Sequence, residues 1–133
     1  MAAFHLQIVT PDRMIYDGEA QSIRIRTVEG DTAILANHID FAAALGIGEA
    51  HIKTADGADR YAACNGGILT MHENVCRVAA VTFEWSDEID VDRAQKAEEV
   101  ARQRLVGLQR GSQEWALADA KMRRALTRLH VHR

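Results

Sequence analysis

Aromatic side chains are scarce in this sequence, 5% of residues, so its core must rest on Ala, Val, Ile and Leu. Small side chains of that kind predict tight packing somewhere in the fold. Cysteine is scarce too. Cys64 and Cys76 are the only two; their spacing fits no CxxC motif, and they read as small buried hydrophobes rather than a redox pair. Positive charge is not in excess: a net charge of −3 excludes a general basic field for holding DNA or RNA. No run of 18 apolar residues is present, so no segment is expected to insert directly into a bilayer. The N-terminus enters a strand-like pattern at once, without the layout of a signal or transit peptide. These absences predict a cytoplasmic bacterial protein that meets a membrane only through a partner.

Recognisable reaction chemistry is missing as well. The chain has no nucleophile elbow, no phosphate loop of the G-x-x-x-x-G-K-[ST] kind and no HExxH. Gly46-x-Gly48 lacks the rest of a dinucleotide fingerprint. His5, His38, His51, His72, His130 and His132 show no convincing metal-ligand spacing.

What is present changes character once. The chain is long enough for one domain, or one domain with an appendage. From Phe4 to about Phe83 it reads as short strands and turns. Phe4, Leu6 and Ile8 alternate with His5 and Gln7, and Ile23 and Ile25 with Arg24 and Arg26. Tyr61 to Cys64, Ile68 to Met71 and Val75 to Val81 are further β-prone runs. Turn signals stand at Pro11-Asp12, Asp17-Gly18, Glu29-Gly30-Asp31, Asp56-Gly57, Gly66-Gly67 and Glu73-Asn74. Asp56-Gly57 reads as a hairpin turn. Such punctuation predicts an antiparallel β-sandwich of short strands over 1–85.

Residues 86–133 read as an α-helical hairpin, which makes the fold class α+β. Asp90 suits an N-cap and Asp92 the first turn of a helix. Ala94, Ala97, Ala101, Leu105 and Leu108 recur at helical spacing. Gly111 suits the end of that helix and Ser112 the cap of the next, where Trp115, Ala118, Met122, Ala125 and Leu129 form a second stripe. A tight turn between them makes the helices antiparallel. The seam is narrow, so the hairpin is expected to dock and undock.

Four segments in order resemble one family. Phe4-His5-Leu6-Gln7-Ile8-Val9-Thr10-Pro11 looks like the first strand of ATP synthase epsilon subunits. Residues 29–41, from Glu29-Gly30-Asp31 to Ala36-Asn37-His38-Ile39-Asp40-Phe41, resemble that family's E-G-x-x-G-I-x-P-G-H-x-P-L. Asn65-Gly66-Gly67-Ile68-Leu69 resembles its S-G-G-I/F-L. Ile89-Asp90-Val91-Asp92-Arg93-Ala94 matches its I/L-D-x-x-R-A. The departures are Ala36-Asn37 for Pro-Gly, Asp40 for a proline and Ala33 for a glycine. They mark a divergent or alternate-type member. Asn37 tolerates the left-handed backbone that a glycine would supply.

The resemblance implies a non-catalytic coupling and regulatory subunit of a rotary F-type ATP synthase, peripheral on the cytoplasmic face of the bacterial cell membrane. Its implied partners are the gamma subunit and the c-ring, with the alpha and beta subunits reached by an extended hairpin that restrains ATP hydrolysis. Thr10 and His38 match positions that face gamma, and Asp31 one that faces the c-ring; each also reads as an ordinary loop residue. No cofactor is required. A regulatory ATP is implied at Glu84, Ile89, Asp90, Arg93, Ala94, Arg124 and Arg128. Arginine forks suit phosphates, and a carboxylate can accept from a base amino group or ribose hydroxyl. A further basic residue expected on the first helix is Val100 here. Without the resemblance, Asp90 is a helix cap and the arginines a solvated face. Two other classes remain beside this one: a free-standing ATP-sensing module using the hairpin, and a small β-sandwich enzyme.

Overall fold

A computed structural model describes residues 2–132; the outermost residues of the two expected parts, 1 and 133, lie outside the described residues. Strand β1 (Phe4–Thr10) carries the alternation directly: Phe4, Leu6 and Ile8 are fully buried and their neighbours are not. β2 (Arg13–Thr27), β3 (Gly30–Leu35), β4 (Phe41–Thr54), β5 (Asp59–His72) and β6 (Val75–Trp85) follow.

Four turn signals close hairpins. Pro11-Asp12 joins β1 to β2, Val28-Glu29 leads to Gly30 and β3, Asp56-Gly57 joins β4 to β5, and Glu73-Asn74 joins β5 to β6. Glu73 and Asn74 both take positive φ, 48° and 62°, the twist that a two-residue hairpin loop needs. Two signals do not reverse the chain. Asp17-Gly18 lies inside β2, and Gly66-Gly67 lies inside β5. The latter bends the strand without shifting its register: Asn65 faces Ile47 and Thr82, and Gly67 faces Leu45 and Ala80. Across this bend the inward set of β5 changes from the even positions Ala62 and Cys64 to the odd positions Leu69 and Met71. The two runs read as separate strands are therefore one bent strand. β4 switches between Leu45 and Ala50, and β6 between Ala80 and Phe83.

The sheet order is β1-β6-β5-β4-β2-β3, with β1 also paired to β2. β2 makes this closure. Its first half, Arg13–Ala20, lies antiparallel to β1; its second half, Ser22–Thr27, lies between β3 and β4. β1 pairs in parallel with β6, so one pairing departs from the antiparallel pattern. The strands are also long, up to 15 residues. The result is a flattened closed sandwich. Its core is aliphatic, with Phe4, Phe83 and Trp85 as the large rings and with Cys64 and Cys76 inside. Both thiols are free, and burial pushes each up to about 12.

A single 3₁₀ turn, Ser86–Glu88, ends the sandwich and leads into α1 (Val91–Val106) and α2 (Gln113–Val131). Asp90 caps α1, accepting the Arg93 N–H at 3.1 Å, and Ser112 caps α2, accepting the Trp115 N–H at 3.1 Å. α1 ends earlier than expected. Gly107 is its C-cap, Leu108 lies beyond it, and Gly111 (φ 90°) sits in the connection instead. The seam is alanine-lined as expected: Ala94 and Ala101 of α1 and Ala118 and Ala125 of α2 are buried. Ala97 is exposed, at the edge of the seam.

Candidate functional site

The hairpin is folded back on the sandwich. α2 packs on β4 and β5, and α1 packs chiefly on α2. A small second core fastens them: Val131 near the end of α2, fully buried, meets Ile89 of the link, Ala63 of β5 and the flank of Tyr61. An ion pair and a histidine–carboxylate contact flank it. The Arg128 guanidinium donates to Glu84 at 2.5 Å, and His130 stands 3.8 Å from Glu49, which also pairs with Arg24 at 3.5 Å.

Between the sandwich and the hairpin lies a cleft of about 560 Å³. One wall comes from the end of β1 and the start of β2 (Thr10, Asp12, Arg13) and from Val81–Glu84 of β6. The other comes from Asp90, Arg93, Ala94 and Ala97 on α1 and Lys121, Arg124 and Arg128 on α2. Six of the seven residues named for nucleotide binding share this cleft: Glu84, Asp90, Arg93, Ala94, Arg124 and Arg128. Ile89 does not line it, being turned into the small core beneath. Lys121, Arg13 and Glu88 were not foreseen. Lys121, Arg124 and Arg128 step by three and four along α2, a periodicity legible in the sequence that would have added Lys121.

The charges of the cleft are unevenly matched. Each carboxylate is already engaged. Asp12 accepts from the Thr10 hydroxyl at 2.7 Å, and that bond holds its carboxyl below the usual range. Glu84 is held by Arg128. Glu88 pairs with Arg13 at 3.3 Å and accepts the Trp85 N–H at 3.2 Å. Asp90 caps α1. Among the described residues no carboxylate pairs with the side chains of Arg93, Lys121 or Arg124. The start of α1, with its partial positive charge, opens on the same space. Chemically this is a half-open anion site with a carboxylate, Glu84, at its edge.

The three residues named for protein partners do not converge. Thr10 lines the cleft. Asp31 lines a separate groove beside Arg24, Gly48 and His130, where the Arg26 guanidinium donates to it at 2.6 Å and lowers its carboxyl below the usual range. His38 follows the turn after β3. Its ring stands edge-on to Phe41 with centroids 5.7 Å apart, and it lines neither space. Asn37 beside it has φ 63°, the left-handed backbone expected there, and its N–H donates to the Asn74 carboxamide at 2.7 Å.

Comparison with known proteins covers the chain end to end. Residues 3–86 match the family described as ATP synthase, Delta/Epsilon chain, beta-sandwich domain, and residues 87–132 match its long alpha-helix domain. The ATP synthase epsilon chain of Alkaliphilus oremlandii is 43% identical over 104 residues, 78% of this chain and 77% of that one. The sodium ion specific ATP synthase epsilon chain of Propionigenium modestum is 34% identical over 131 residues, 98% of this chain and 94% of its own length. Among solved structures, a chain in the OSCP/F1/c-ring assembly of the Euglena gracilis mitochondrial ATP synthase superposes with a TM-score of 0.79. It is 23% identical, with 92% of this chain and 77% of that chain covered, which speaks to the fold. A β-sandwich with a helical hairpin, matched in both parts and over nearly its whole length by epsilon chains, places this protein in the ATP synthase delta/epsilon chain family.

Proposed function

We propose that this chain is a non-catalytic central-stalk subunit of a rotary ATP synthase, in which the sandwich grips the gamma subunit and the c-ring and the hairpin restrains ATP hydrolysis when released. It works from the cytoplasmic face of the membrane as a peripheral component. No helix of the described residues is long and apolar enough to cross a membrane. The observation that carries the regulatory part is the way the hairpin is attached. α1 and α2 form one alanine-seamed unit, and among the described residues a small apolar cluster, the Arg128–Glu84 ion pair and a His130–Glu49 contact fasten it to the sandwich. A fastening of that size can open without unfolding either part.

ATP is the regulatory ligand of this reading. Its phosphates meet the cations of the cleft, and binding across both walls favours the docked hairpin by mass action. The cleft draws on β1, β2 and β6 as much as on the helices. That favours a site belonging to the whole chain over a sensing module made of the hairpin alone.

Truncation after Ser86 is the direct test. The remaining sandwich is expected to bind a gamma subunit, and complexes carrying it are expected to hydrolyse ATP without restraint. Hydrolysis held as low as in the intact complex would remove the hairpin from the regulatory role. For the ligand, Arg93→Ala with Arg124→Ala is expected to abolish ATP binding in calorimetry, and unchanged binding would place the nucleotide elsewhere.

A further inference from the structure

We infer that Lys121 is a phosphate-holding residue of the cleft, completing with Arg93 and Arg124 a set of three cations that no carboxylate pairs with among the described residues. This rests on the nucleotide reading above and names a residue that neither the motifs nor the resemblance pointed to.

The first argument is charge matching. Five cations line the cleft, and its four carboxylates are all engaged. Two of those carboxylates neutralise Arg13 and Arg128, and the other two are held by the Thr10 hydroxyl and the α1 backbone. Lys121, Arg93 and Arg124 are what remains, one from α1 and two from α2. Five cations against four carboxylates leave the cleft with a formal excess of positive charge, which an anion relieves. A chain of phosphates, with charge on each unit, fits three such centres better than a single carboxylate does.

The second argument is position. Lys121 lines the cleft and also a groove of about 360 Å³ along the hairpin seam, together with Arg93 and Ala97. The two spaces meet at these three residues. α1 brings Arg93, Lys96 and Arg104 to the same seam groove, with Val100, 54% exposed, between them. Lys121 adds to these a cation that lines the groove from the opposite helix. Its flexible stem and compact ammonium suit a terminal phosphate approached from one side.

Calorimetry on the full chain at low salt, with ATP, AMP and inorganic tripolyphosphate as titrants, tests this. Lys121→Gln is expected to weaken ATP and tripolyphosphate about tenfold, the loss of one charge-assisted bond. AMP should change little, Lys121→Arg should retain most of the affinity, and the thermal melts of both variants should match the parent. Parent-like binding of ATP and tripolyphosphate by Lys121→Gln overturns the assignment, as does an equal loss for AMP. If the parent binds tripolyphosphate through Lys121 but not ATP, the cation set stands and the nucleotide reading falls. If the parent binds ATP and Lys121→Gln leaves it unchanged, the reverse holds. If the parent binds none of the three, both fall.

Discussion

At the scale of single residues, the fold depends most sharply on a glycine. Gly67 has φ 117°, and a Cβ placed on it would stand 2.0 Å from the carbonyl oxygen of Ala79. Backbone cannot move aside as a flexible side chain can. Gly67→Ala is expected to lower stability by about 2–5 kcal/mol, from the strained φ and the collision together. Denaturant melts should show it, and a loss under about 1 kcal/mol would mean that the bend at Gly67 has rearranged. The buried thiols give a second check at this scale. With Cys64 and Cys76 pushed up to about 12, the native protein should react with thiol reagents only as it unfolds. Much at this scale was legible in the sequence. Asn37 takes the left-handed backbone, Asp90 and Ser112 cap helices, and both cysteines are core. Gly67 was misread as a turn because a glycine pair that bends a strand and one that reverses it look alike until the partner strands are known.

At the scale of elements, the alanine seam was visible as a helical stripe, but its length was not. Helix α1 stops at Gly107 because that residue's N–H turns back to the carbonyls of Arg104 and Leu105. Read from the sequence, the end falls at Gly111, passing over Gly107, four residues earlier. Where α2 docks was not legible either, since Val131 lies outside the stripe that begins at Trp115. Val131→Ala removes two buried methyl groups from the cluster with Ile89 and Ala63. It is expected to weaken docking by about 1.5–2.5 kcal/mol while leaving the sandwich intact. Hydrogen exchange should read this as faster exchange through α1 and α2 with β1 to β6 unchanged. Equal acceleration in the strands would show that hairpin and sandwich unfold together.

At the scale of the whole molecule, the sequence yields the sandwich and the hairpin but not the closure. Nothing in β1 or β6 announces that they pair in parallel, and a strand shared between two neighbours, as β2 is, leaves no periodic trace. The cleft was legible in part. The family resemblance pointed to Arg93, Arg124 and Arg128, whereas Arg13 and Glu88 reach it only because the chain closes on itself. Acid should reveal the electrostatics of the whole. Hydrogen bonds from Arg26, His72 and His51 hold the carboxyls of Asp31, Asp40 and Asp59 below the usual range. A carboxyl lowered in the folded state contributes stability above its unfolded value. That contribution is lost as pH falls through the folded one. Melting temperature is therefore expected to drop steadily below about pH 4, and Asp31→Asn, Asp40→Asn and Asp59→Asn combined should flatten that slope.

Ile89 and Val131 stand at opposite ends of the hairpin's sequence yet touch in one cluster, because the antiparallel helices return the chain to its point of departure. The pivot and the clasp of the arm are thus the same few side chains. The bend at Gly107–Ser112 is the free end of a lever about 28 Å long, so a tilt of about ten degrees at the clasp carries that tip roughly 5 Å. Loosening a handful of methyl groups is thereby converted into displacement at the other end of the arm.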